Sequence, residues 1–194
     1  SMYTYYKPDS CADRCSAFIA CGNATEKGDI VMAHNSHSDY VFAQVVNVII
    51  HIKPEKGYAF TMQCCPGYVA SGLDWFVTEK GIIGCETTIG NFKKQPDFTK
   101  NTPYFCRIRE VMQYGKTLDE CAKMMIKDNA GDYPCSWLFG DIYKNEIMLC
   151  ELGLKYTHVE KKKDGIFYGM NSAINEDIRK KETTDKTHSR TSTT

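Results

Sequence analysis

The stretch Asp13-Arg14-Cys15-Ser16-Ala17-Phe18-Ile19-Ala20, followed closely by Ile30-Val31-Met32-Ala33-His34-Asn35, decides the fold. It sets a cysteine at the head of a short apolar strand, residues 16–22. The intervening Asn23-Ala24-Thr25-Glu26-Lys27-Gly28-Asp29 is turn chemistry, because Asn and Gly tolerate backbone angles that other residues avoid. The second run returns as residues 29–34 of a hairpin and ends in two polar residues, His34 and Asn35. A thiol faced by polar groups from the next strand is arranged for nucleophilic chemistry. If the chain is cut just before it, the freed α-amino group becomes the base for the same residue's side chain. A free α-amine titrates at about 7.7–8.0 and a free thiol at about 8.5, so the amine takes the thiol proton near neutral pH. The competing reading makes Cys15 one more strand cysteine, buried or paired with Cys11.

Beyond the hairpin the chain reads as many short strands with one helical block. The density of β-branched residues predicts a strand over residues 45–52. Pro54-Glu55-Lys56-Gly57 turns the chain. Residues 58–63, 69–71, 75–78 and 82–88 read as further short strands. Phe105, Ile108, Val111 and Met112 then fall at helical spacing within residues 104–114. Thr117 followed by Glu120 predicts a reciprocal capping box opening a second helix, which closes near Asn129-Ala130-Gly131. Strands return at residues 135–141, 146–152, 156–160 and 166–170. Strands, two helices and more strands predict an α+β layered fold with helices on a sheet face. Residues 175–194 are polar and charged, and alone bury too little apolar area to fold.

Composition narrows the function classes. A chain of 194 residues is long enough for one domain with a real core. Lys plus Arg and Asp plus Glu are 24 each, which argues against a nucleic-acid binder, since that would carry a basic excess. No run of 18 apolar residues is present to span a membrane. The ten cysteines include no Cys-x-x-Cys pair, so no zinc site and no other metal or cofactor is expected. Most sit in apolar runs, as in Gly-Ile-Ile-Gly-Cys85, and read as small buried hydrophobes.

Five further positions carry candidate chemistry. An imidazole or amide at His34 or Asn35 suits holding the nucleophile or an attacking water, although polar residues entering a loop give the same pattern. Asn171 ends the apolar run Phe167-Tyr168-Gly169-Met170, where its amide is placed to donate to a developing oxyanion or simply to form a turn. Thr88 is placed for similar work or for a structural strand role. Trp75 suits an acyl pocket or the core.

Taken in order, these pieces resemble the phospholipase B-like family. The resemblance rests on Cys15-Ser16-Ala17, Ala33-His34-Asn35-Ser36, Cys65-Pro66-Gly67-Tyr68, Asp74-Trp75-Phe76, Gly81-Ile82-Ile83, Glu86-Thr87-Thr88-Ile89-Gly90-Asn91, Asn129-Ala130-Gly131-Asp132-Tyr133 and Tyr168-Gly169-Met170-Asn171. More distantly the chain is similar to the penicillin acyltransferase and bile-salt-hydrolase relatives within the N-terminal-nucleophile hydrolases. The resemblance implies an αββα sandwich, incomplete at its C-terminal end because family members run longer. It implies a leader over residues 1–14, a hydrolase-like domain over 15–174, and a polar tail or the start of a further part over 175–194.

It also implies autocleavage between Arg14 and Cys15, with Cys15 as nucleophile, His34 as polar partner beside Asn35, and Asn171 as oxyanion donor. Thr88 falls near a second donor position, and Arg190 near a late arginine of the family. His37 stands where family members tend to have Trp, so His37, Trp75 and Arg190 are the expected pocket residues. The implied substrate is an acylated small molecule or lipid, and the implied compartment is secreted, periplasmic or lysosomal. The expected activity is hydrolysis of an amide or ester through a thioester. The alternatives are a non-catalytic acyl-binding domain of the same fold and acyl transfer to an amine.

Overall fold

The computed structural model describes residues 14–37, 40–93, 95–99 and 101–185. The opening hairpin forms as the sequence predicts: β1 (Arg14–Gly22) pairs antiparallel with β2 (Gly28–His37). On its other edge β1 pairs with β10 (Gly165–Gly169), giving a three-stranded sheet in the order β10-β1-β2. A second antiparallel sheet has seven strands in sequence order. They are β3 (Val48–Ile52), β4 (Phe60–Cys64), β5 (Trp75–Thr78), β6 (Ile82–Thr88), β7 (Cys135–Asp141), β8 (Glu146–Leu152) and β9 (Thr157–Lys162). Four helices complete the described chain: α1 (Tyr40–Val46), α2 (Tyr104–Tyr114), α3 (Leu118–Ile126) and α4 (Glu176–Glu182).

The two sheets stack face to face. Ala17, Ile19 and Cys21 of β1 and Phe167 of β10 meet Cys85, Leu138, Ile147 and Leu149 of the large sheet. On the opposite face of the large sheet, Phe76, Trp137 and Phe139 pack under Ile108, Val111 and Met112 of α2 and Leu118, Cys121 and Met125 of α3. The rings of Trp137 and Phe139 stack at 5.1 Å. With both faces covered, β7 is buried along its whole length, which is why it reads as a run without alternation. Each such large apolar side chain contributes about 1.5–3 kcal/mol on burial.

The described residues thus form a helix–sheet–sheet stack, three layers of the expected αββα sandwich. The outer face of the small sheet is open to solvent, with Phe18, Val31, Ile166 and Tyr168 all exposed.

Several local expectations are corrected. Residues 45–52 are not one strand. Val45 and Val46 close helix α1, and the strand begins at Val48, after Asn47 accepts a bond from the Gln63 amide at 3.0 Å. Residues 69–71 form no strand; they belong to an irregular loop. Tyr58 stays out of β4 because its N–H donates to the Gln113 carbonyl at the end of α2. Thr117 caps α3 by accepting from the Glu120 N–H at 3.2 Å, but the Glu120 carboxylate turns to the Lys116 N–H instead of closing the reciprocal box. α3 itself ends at Ile126.

Residues 176–182 are helical, where a polar tail was expected. Asn175 caps α4 by accepting from the Asp177 and Ile178 N–H groups, and Ile178 packs on Ile89 and Ala173. Two fully buried carboxylates tie this segment to the large sheet. Glu151 accepts from the Ser136 hydroxyl at 2.6 Å and from the Ile174 and Asn175 N–H groups at 2.9 and 2.6 Å. Glu182 accepts from the Leu154 and Lys155 N–H groups at 2.9 and 2.8 Å.

Glu151→Ala leaves three donors unpaired and is expected to cost about 3 kcal/mol or more, each unmade buried bond costing ~1–3 kcal/mol. Urea unfolding measures it, and a loss under ~1 kcal/mol contradicts the tether.

Candidate functional site

Cys15 sits at the head of β1 with its side chain half-buried between the sheets. Its N–H donates to the side-chain oxygen of Asn171 at 2.6 Å. Asn171 directly follows Met170 at the end of β10 and adopts a left-handed backbone (φ 64°), a conformation Asn tolerates better than most residues. Its side-chain amide donates to the Thr88 carbonyl at 2.7 Å, and its own carbonyl accepts from the Gly90 N–H at 3.2 Å. Asn171 therefore joins β1 to the end of β6. Of the two hydrogens on its amide nitrogen, one is used on Thr88 and the second is available to a ligand.

His34 lies opposite Ala17 in the β1–β2 register and points the same way as Cys15, between the sheets. The Cys15 sulfur, an imidazole nitrogen of His34 and a carboxylate oxygen of Asp74 lie within 4.8 Å of one another. The Ser36 hydroxyl is 4.0 Å from the sulfur. The His34 ring is bonded to the Glu86 main chain, its Nε2 is buried without a partner, and burial lowers its pKa, which keeps the ring neutral at pH 7.

Asp74 stands just before β5 in a left-handed conformation (φ 58°), and its carbonyl accepts from the Glu86 N–H at 3.0 Å. The Glu86 carboxyl is fully buried. Tyr133 donates to it at 2.8 Å, and the Thr88 hydroxyl lies 2.6 Å from the same Tyr133 oxygen.

The electrostatics of the cluster are anionic. Burial raises the Glu86 carboxyl well above the ordinary range, and the Asp74 charge adds to that; burial likewise raises Asp74. The Cys15 thiol is pushed up to about 11, by burial first and then by the charges of Glu86 and Asp74. While its nitrogen is a peptide amide, Cys15 is thus a neutral thiol.

Next to this cluster is a cavity of about 480 Å³ lined by Tyr68, Val69, Tyr104, Phe105 and Tyr133, with Asp74 in its wall. Its loop, residues 67–72, is held by Arg109, which donates to the Val69 carbonyl at 2.8 Å, and by Ser71, whose hydroxyl donates to the Gln63 carbonyl at 2.7 Å.

The structure brings Cys15, His34, Thr88 and Asn171 together and does not bring in the others. Asn35 pairs with Ser16, one residue out of phase with Cys15 and His34, and is exposed on the far face of the small sheet. A period of two along a strand makes adjacent residues face opposite ways. Trp75 packs against the inter-sheet core, donates to the Gln63 side chain at 3.0 Å, and is not among the residues lining the cavity beside Asp74. His37 is exposed at the end of β2, opposite Arg14, and lines no part of the cavity. Arg190 lies outside the described residues. The residues that sequence reasoning assigned no role are Asp74, Glu86 and Tyr133.

No protein-family profile matches the chain, and no curated protein sequence does. Among solved structures, the chain superposes on a cysteine-to-alanine variant of the conjugated bile acid hydrolase from Clostridium perfringens with a TM-score of 0.55. Identity is 14%, over 84% of this chain and 54% of that one. The chain is similar in fold to a conjugated bile acid hydrolase. A second variant of the same hydrolase matches at a TM-score of 0.44 and 13% identity, over 87% of this chain and 48% of that one. The chain spans about half the length of these hydrolases. The likeness is one of fold, over part of that hydrolase. No helix among the described residues is long and apolar enough to cross a membrane.

The raised carboxyls give a signed pH dependence. Above the ordinary carboxylate range near pH 4, the folded chain holds more protons than the unfolded one until its own raised values are passed, so stability falls as pH rises through that window. Asp74→Asn removes one partner and is expected to flatten the fall. Thermal unfolding at about pH 5 and about pH 8 measures it. An equal fall in wild type and variant contradicts the assignment.

Proposed function

We propose that this chain is an autoprocessing N-terminal cysteine hydrolase acting on the carbonyl of an amide or ester of an acylated small molecule or lipid. The observation that carries the reading is the pair of contacts at one residue. The Cys15 nitrogen is held by Asn171, and its sulfur faces His34 and Asp74.

In the uncleaved chain Cys15 carries no α-amine of its own, so another group must take the thiol proton. His34, neutral and with Nε2 unpartnered, fills that role. The sulfur attacks the Arg14 carbonyl carbon. The Arg14–Cys15 C–N bond breaks, the proton passes to the departing nitrogen, and water hydrolyses the resulting thioester to leave a carboxylate on Arg14. The new α-amine remains on the Asn171 oxygen beside its own sulfur, and with a pKa of about 7.7–8.0 it serves as base and then as acid.

In turnover the sulfur attacks the substrate carbonyl, and the second hydrogen of the Asn171 amide, with backbone N–H groups, receives the oxyanion. Water resolves the thioester. The largely apolar cavity beside Asp74 takes the apolar part of the substrate, and its volume is in the range of small-molecule sites.

The raised thiol favours a second reading for the uncleaved chain, an acyl-binding domain without turnover. Hydrolysis that Cys15→Ala abolishes rejects it, and product analysis with added amine separates hydrolysis from acyl transfer.

Intact mass tests the primary reading. Incubated wild type is expected to lose a fragment ending at Arg14, while Cys15→Ala stays whole. His34→Gln is expected to cleave at least ~100-fold more slowly, the usual scale for a lost general base. Wild type that never cleaves at this bond, with no preferential labelling of Cys15 by a thiol reagent, overturns the reading.

A further inference from the structure

The same cluster has a second capacity that hydrolysis does not use. Thiol, imidazole and carboxylate converge from β1, β2 and the loop that leads into β5, with the three ligand atoms within 4.8 Å of one another. Tetrahedral zinc with bonds of about 2.0–2.3 Å needs its ligands roughly 3.3–3.7 Å apart, so side-chain rotations closing ~1 Å complete the set.

Two further observations point to a cation. The His34 ring is bonded to the Glu86 main chain and leaves Nε2 buried and unpartnered. A ring nitrogen anchored on a main-chain carbonyl is the usual support of a metal-binding imidazole, because it fixes the ring's orientation and raises its basicity. In addition, Asp74 and the fully buried Glu86 stand side by side, and no salt bridge among the described residues involves either one. Ionising both carboxyls, one fully buried and one half-buried, is costly without a counter-charge, and a divalent cation offsets that cost.

We propose that Cys15, His34 and Asp74 bind a thiophilic divalent cation of the zinc type, which occupies the sulfur and blocks its attack on any carbonyl. Mixed sulfur, nitrogen and oxygen ligands select zinc or cobalt over magnesium and calcium. Three protein ligands leave the fourth position to water. Binding forms the metal–sulfur bond and releases the thiol proton to solvent, with no change of oxidation state. The inhibitory consequence rests on the hydrolase reading; the binding does not.

Cobalt(II) is the probe, added to the chelator-treated full chain. Wild type is expected to show one equivalent of a thiolate-to-cobalt charge-transfer band that zinc displaces. Cys15→Ala loses it, and Cys106→Ala, at an exposed helix cysteine, keeps it. His34→Ala and Asp74→Asn weaken binding at least ~10-fold. An unchanged band in Cys15→Ala, or none in wild type, overturns the proposal. Should Cys15→Ala lack native circular dichroism, peptide-mapped alkylation of wild type replaces it. Zinc is expected to protect Cys15 and not Cys106, and equal labelling with and without zinc overturns the proposal. A chain that binds cobalt through Cys15 yet never releases the Arg14 fragment keeps this site and loses the hydrolase reading. A chain that processes itself in chelator but gives no band does the reverse.

Discussion

The hydrogen bond between the Cys15 nitrogen and the Asn171 side chain, 2.6 Å long, joins residues 156 positions apart. It closes the small sheet at the end that carries the Cys15, His34 and Asp74 cluster. Around it the fold stacks its constraints in order. β10 must pair with β1 to bring Asn171 alongside Cys15, and the segment after Asn171 must be anchored to keep it there. Glu151 and Glu182 supply that anchor, each a fully buried carboxylate spent on backbone N–H groups. At Gly169 a side chain would run into Thr87, so the small sheet approaches β6 closely at this point. The polar tail of the sequence is therefore part of what positions Cys15 and Asn171.

The second constraint is charge. Asp74 and Glu86 lie beside a thiol that they make harder to ionise. For a protein whose sulfur were already meant to be reactive, that placement would be self-defeating. It fits a residue held neutral until something changes its surroundings: a new α-ammonium group from chain cleavage, or a bound cation. Both are positive charges delivered to the same small volume. The Thr88–Tyr133–Glu86 hydrogen-bond chain links this volume to the cavity wall, so ligand in the cavity and charge at the thiol share one network.

Much of the fold was legible because its signals are local. The helical spacing of Ile108, Val111 and Met112 gave α2 at its observed bounds, and the strand runs over 75–78, 82–88, 135–141 and 146–152 came out as read. The failures have local causes too. Residues 45–52 are β-branched at every position but Asn47 and His51, and one Asn in such a run does not mark a change from helix to strand. α4 has one buried apolar residue, Ile178, too few for periodicity to register, although its Asn175 cap and its acid-to-base charge order were visible. At the candidate site, Cys15, His34, Asn171 and Thr88, which motif order names, lie together, whereas strand parity turns Asn35 to the opposite face of the small sheet. Asp74, Glu86 and Tyr133 left no spacing signal, because they are brought together by sheet pairing and by a single left-handed residue at position 74.

The central claim is that the amine made by cleavage at Arg14 converts a neutral Cys15 thiol into a reactive one. The direct measurement is the pH dependence of Cys15 alkylation, read by peptide mass, in the uncleaved chain and in a chain made to begin at Cys15. The account predicts a midpoint near about 11 in the first, falling to about 8.5 or below in the second. A midpoint that stays near its uncleaved value after Cys15 becomes the terminus would contradict it.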